Sequence, residues 1–246
     1  MKNSLIPQIR CSHGFEMRFI VKEQDYEKPI GAGLMRYELD GVPTGAVEHW
    51  RLTQATEGYE VLRVDLDARE AASGHSYLYH LVRQADGAPE RLAYRFWGDG
   101  LQVEGTLLFS ETNITGTRAV NGRTYHEDLD IEPGTIFWFP SAIGLGLALK
   151  AKKVTGNTAV TLNGKIGGED TLALQQVSVD VFFMITDTKP MEVAGKTLET
   201  VPTMVRWNDN QRIVVRDENY WPVAMQRPSY ADGKLLSATE SRYIWY

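Results

Sequence analysis

Apolar and polar residues alternate with a period of two along most of the chain. Val61, Arg63 and Asp65 oppose Leu62, Val64 and Leu66, the pattern of a strand with one face in a core and one toward water. Similar segments predict strands over Leu34–Asp40, Gly45–Gln54, Tyr59–Asp67, His75–Arg83, Glu90–Trp97, Leu101–Ser110, Asn113–Val120 and Arg123–Ile131. Asp86-Gly87, Asp99-Gly100 and Asn121-Gly122 punctuate them as hairpin turns, the last with a type I′ signature. Phe15, Arg18, Phe19 and Val21 suggest a first strand or a short helix, ended by Gly31-Ala32-Gly33.

The period changes at Ile136–Lys153, IFWFPSAIGLGLALKAKK. Ile143, Leu147 and Lys150 fall on one helical face and Leu145 and Leu149 on another. Pro140 suits the first helical position and Lys150, Lys152 and Lys153 the last turn. A helix over 140–153 that is apolar nearly all round is a buried one. It either covers one sheet as part of the core or plugs a hydrophobic cavity, with Phe137, Trp138 and Phe139 as aromatic lining.

Alternation returns at Thr158–Ile166 and Leu172–Thr186, then at Pro202–Trp207, Arg212–Asp217, Pro222–Arg227 and Leu235–Tyr246; Met191–Thr200 reads as a polar edge or loop. With no linker rich in Pro, Gly or Ser, residues 1–246 are expected to form one domain. The fold class expected is all-β and mainly antiparallel: a large curled sheet or half-open β-barrel with one central apolar helix.

Composition narrows the function classes. A net charge of −6 speaks against nucleic-acid or anionic-membrane partners. A single cysteine, Cys11, precludes an intrachain disulfide. Pro7, Gln8 and Arg10 interrupt the N-terminal apolar residues, so neither a leader peptide nor membrane insertion is expected, and a cytoplasmic location follows. A homodimer stays open.

The meander, the proline-containing helix segment TIFWFPSAIGLGLALKAKK and the closing QRIVVRDENYWPVAMQRPSYADGKLLSATESRYIWY together resemble the half-barrel of LolA-like lipoprotein carriers and related bacterial families of unknown function. The resemblance is topological and covers most of the chain. It implies a concave apolar face that holds an acyl or other hydrophobic chain. Calycin-type barrels are the nearest competing fold.

Candidate chemistry is sparse. His126 and Asp128, two apart on one strand, point the same way, so the carboxylate could orient the ring as an acid or base; a solvated strand face gives the same pattern. His80, Tyr79 and Arg95 are further catalytic candidates, and Trp97, Asp180 and Phe182 join Phe137, Trp138 and Phe139 as ligand-binding candidates. His49, His80 and His126 with Glu48 or Asp128 could compose a metal site. The chain has no HxH, HExxH or cysteine pair, however, so neither metal nor cofactor is expected. The expected function is binding of a small hydrophobic or aromatic molecule in the barrel cavity. The alternatives are a cofactor-independent isomerase, hydratase, cyclase or lyase in that cavity, and a scaffold acting through protein partners.

Overall fold

The computed structural model describes residues 17–148, 157–183 and 189–246. Its elements are β1 (Lys28–Leu39), β2 (Val42–Gln54), β3 (Glu60–Asp67), β4 (Ser76–Arg83), β5 (Pro89–Gly98), β6 (Leu101–Phe109), β7 (Asn113–Val120), β8 (Arg123–Asp130), β9 (Ile136–Trp138), α1 (Ala142–Ala148), β10 (Asn157–Leu162), β11 (Leu174–Phe183), β12 (Lys189–Val193), β13 (Lys196–Trp207), β14 (Asn210–Arg216), β15 (Pro222–Arg227) and β16 (Leu236–Trp245). Strands make up 62% of the structure, in one large, mainly antiparallel sheet that is not closed, so the protein is all-β as the alternation predicts. Asn121 and Gly122 have φ of 48° and 83°, the left-handed pair a type I′ hairpin needs.

The strand order is β8-β7-β6-β5-β4-β3-β2-β1-β16-β15-β14-β13-β11-β10-β9, with β12 paired to β13 alone. The two edges, β8 and β9, are consecutive in the chain and joined only by residues 131–135. Such a link spans at most about 20 Å, so the sheet curls until its edges approach one another. Side chains bridge the remaining seam. Arg118 on β7 donates to the backbone oxygens of Glu169 and Thr171, and Glu127 on β8 accepts from Leu174 N at 3.2 Å. Arg118 and Glu127 pair at 2.7 Å, both nearly buried.

Directly paired residues share a face. Trp50, Val64, Tyr79, Tyr94 and Gly105 form one row on the concave side, where Tyr79 stacks on Phe139 at 4.2 Å. Leu62, Leu92, Phe96, Val103 and Leu107 are fully buried there. Arg63, His80, Ala93, Thr106, Thr117 and His126 form a row on the outer side. Residues 17–27 cross part of that outer face. Asp65 accepts from the Arg18 backbone and Nε at 2.8 and 3.0 Å, Arg63 donates to Val21 O at 2.9 Å, and Arg63 forks onto Glu27 at 2.7 and 2.8 Å. Arg63, Asp65 and His80 are buried beneath this strap.

Three expectations are corrected. First, β1 runs through Gly31 and Gly33 instead of ending there, because the indoles of Trp245 and Trp50 lie where a Cβ would stand. Second, of the edge or loop expected over Met191–Thr200 the loop is ruled out: the segment is the hairpin of β13 with β12, an edge strand paired to β13 alone, turned at Ala194-Gly195 with φ of 51° and 76°. Third, the helix starts later than expected, at Ala142 and not at Pro140. Ile136–Trp138 is a strand parallel to β10, and α1 starts at Ala142 with Ser141 Oγ capping Gly144 N at 2.8 Å. Lys150, Lys152, Lys153 and Cys11 lie outside the described residues.

Candidate functional site

The concave face is the candidate site, and α1 occupies it. Ala142 to Leu147 are all buried. Gly146 lies against the ring of Pro222, so close that a Cβ would overlap it, and Gly144 is similarly tight on Phe139. These glycines cost helix propensity but permit that approach. The polar anchor comes from the sheet. Glu48 on β2 accepts Ala142 N at 3.0 Å and Ile143 N at 2.9 Å. With Ser141 Oγ on Gly144 N and Ser141 O taking Leu145 N at 3.2 Å, the first four helical amides all have acceptors. Tyr37 donates its hydroxyl to the same carboxylate at 2.5 Å. Burial pushes the Glu48 pKa up, and these hydrogen bonds oppose the rise only in part.

A second buried carboxylate, Glu240 on β16, faces the same side. It accepts Leu34 N at 3.1 Å and the Trp50 indole N–H. Burial raises its pKa well above the carboxylate range, and the charge of Glu48 adds to the effect. Trp50 packs on Trp221 at 4.4 Å and Trp221 on Trp245 at 4.9 Å. Tyr94 lies over Gly105, where a Cβ would overlap its ring, and its hydroxyl donates to Leu172 O at 3.3 Å. Gly33 on β1, under Trp50, and Gly105 on β6, under Tyr94, thus let large rings lie along the sheet and line the concave floor.

The sheet separates the residues picked out from the sequence. Tyr79 is on the concave side, its hydroxyl 3.4 Å from Pro140 O. His80, Arg95, His126 and Asp128 are on the outer side. His80 is 3% exposed, and burial, with Arg63 and Arg91 nearby, lowers its pKa to about 4. Arg95 pairs loosely with Glu104 at 3.8 Å. Asp128 accepts its hydrogen bond from Asn113 at 2.9 Å, and both His126 and Asp128 are exposed. His49 is also on the outer side, opposite Asp65. His75, just before β4, meets Asp99 at 2.7 Å near the rim. The described histidines therefore do not gather on the concave face. Among the described residues no group of three or more His, Cys, Asp and Glu could hold a metal ion.

Of the ligand-binding candidates, Phe137, Trp138 and Phe139 are buried beside α1, with Trp138 packed on Trp207 at 5.4 Å and Phe137 on Phe109 at 4.7 Å. Trp97 pairs with Ser76 and Gln102 on the outer side. Asp180 is exposed opposite Arg206. Phe182 pairs with Met204 through the backbone; its side chain lies outside the described residues. Glu48, Glu240 and Tyr37 are the polar residues of the site that periodicity did not single out for this role. Glu48 shares strand parity with Trp50, which is the one local sign that it points inward.

With α1 in place, the crevice lined by Phe137, Phe139, Gly144 and Leu147 has a volume of about 30 Å³, room for a single water. A larger recess of about 310 Å³ opens on the outer face between Ile20, Arg95, Glu104 and Thr124. No family model, curated protein or solved structure matches the chain. No described helix is long and apolar enough to cross a membrane.

Proposed function

We propose that the protein binds a hydrophobic or aromatic small molecule on the concave face of its curled sheet, and that α1 is the plug the guest displaces. The observation that carries the reading is the cover itself. A wide aromatic floor is capped by one short helix whose polar anchor on the sheet is a single side chain, Glu48. The likeness to lipoprotein-carrier half-barrels supports the same reading.

Magnitudes set the size of the guest. Lifting α1 exposes Ile143, Leu145 and Leu147, which costs about 6 kcal/mol at roughly 2 kcal/mol per aliphatic side chain. A saturated chain regains about 0.8 kcal/mol per methylene, so about eight methylenes offset the loss. Guests much smaller than that leave α1 seated. The test is extraction of the purified protein into organic solvent, followed by mass spectrometry. Recovery of a stoichiometric apolar compound supports the proposal. An empty extract, together with no uptake of medium-chain alcohols, refutes it.

A further inference from the structure

Two cations on the concave face have no part in seating α1. Arg212 on β14 is opposite Val205, which is opposite Val181, both buried. Arg227 on β15 lies one step beyond the Ile213–Gln226 pair and opposite Leu236. The two arginines thus stand side by side on adjacent strands. Each guanidinium rests on an aromatic base, Arg212 over Trp207 at 5.1 Å and Arg227 over Tyr230 at 4.6 Å. Both are half-buried, and among the described residues neither pairs with a carboxylate. Arg212 donates to Gln211 O at 2.8 Å. Burial and the neighbouring charge of Arg227 lower the Arg212 pKa to about 10, with the Tyr37 and Tyr230 side chains close enough to oppose the drop.

Two guanidinium forks held side by side without an acid form a receptor for a bidentate anion. We infer that Arg212 and Arg227 bind the anionic head group, a carboxylate or phosphate, of an amphiphile whose chain lies along the concave face. The inference rests on the reading proposed above and adds polarity to it. The head sits at the strand ends that carry Trp207 and Arg227, and the chain runs toward Tyr37 and the seat of α1. Stacking on Trp207 and Tyr230 fixes the forks before the anion arrives, which limits the side-chain ordering that binding would otherwise require.

The experiment is a tryptophan-fluorescence titration of the full chain with dodecanoate, dodecan-1-ol and inorganic phosphate. The expected result is dodecanoate binding at least tenfold tighter than dodecan-1-ol. The preference should vanish in R212Q/R227Q while dodecan-1-ol affinity stays the same and the thermal midpoint confirms a folded variant. The comparison of the two probes on the unmodified protein needs no variant to fold. Phosphate binding without either C12 probe, lost in R212Q/R227Q, supports the anion site, assigns it to a free anion and removes the acyl-chain reading. Equal affinity for dodecanoate and dodecan-1-ol overturns the inference and leaves the concave-face reading standing. No response to any of the three overturns both.

Discussion

Replacing Glu48 by Ala isolates the polar anchor of α1. The change leaves Ala142 N and Ile143 N without their acceptor and removes the partner of the Tyr37 hydroxyl. A buried donor left unsatisfied costs about 1–3 kcal/mol, so two amides cost about 4 kcal/mol if α1 stays in place. Releasing α1 instead costs about 6 kcal/mol of aliphatic burial. The smaller penalty sets the global loss, and the gap of about 2 kcal/mol leaves α1 far more often open than in the parent. Glu48→Gln keeps one acceptor oxygen but turns an NH₂ toward a donor, and should lose about 2 kcal/mol. Urea unfolding followed by circular dichroism reads the global term; at an m-value of roughly 2.5 kcal/mol/M the Ala variant should move the midpoint down by about 1.5 M. Amide hydrogen exchange over residues 142–148 reads the local one and should quicken in the Ala variant well beyond that of β2 to β5. An Ala variant within about 1 kcal/mol of the parent, or no less stable than the Gln variant, would refute the claim that Glu48 seats the helix.

Other perturbations test separate parts of the structure. His80 is neutral and buried with its pKa lowered to about 4, so the unfolded chain takes up a proton below pH 6.5 that the folded chain refuses. Stability from this group is present above pH 6.5 and lost as pH falls toward 4, by about 2 kcal/mol between pH 7.5 and pH 5. His80→Gln should flatten that part of a pH series of urea midpoints. Glu48 and Glu240 act with the opposite sign. Their raised pKa values favour the fold at and below about pH 4.5 and withdraw that contribution as pH rises through their folded values, so Glu240→Gln should steady the protein on the alkaline side relative to the parent. Arg118→Met strands the nearly buried Glu127 at the seam and should cost about 3 kcal/mol in denaturant titration. Gly33→Ala places a methyl into the Trp50 indole and should lower stability by about 1–3 kcal/mol, with a shifted tryptophan emission.

Periodicity carried the strands because each half-buried strand writes its own alternation. Asn113–Val120 and Pro222–Arg227 have the boundaries that the pattern predicts. The long-range pairing was not legible. β1 joins β16 across the whole chain, and no local residue signals that partner. For the same reason Gly31 and Gly33 read as breakers, since the rings that cover them come from β16 and β2. The helix was legible as apolar and buried, but its start was placed two residues early, at Pro140, because the apolar run from Ile136 is continuous and nothing local shows that Ile136–Trp138 pairs as a strand with β10. The histidines attracted attention as chemistry-bearing residues, yet alternation alone leaves open which face is concave. Tyr79 and His80 are adjacent in sequence and therefore lie on opposite sides of the sheet. Glu48, read first as a carboxylate for a metal, proved to be a helix cap, because the amides it accepts belong to residues more than ninety positions away.

The account stands on exchange of α1 for a guest, and hydrogen exchange with bound dodecan-1-ol tests that directly. Faster exchange of the Ala142–Ala148 amides on saturation, with the concave strands β3 to β5 unchanged or slower, is the predicted outcome. A saturated protein in which those amides keep their full protection would place the guest elsewhere and contradict it.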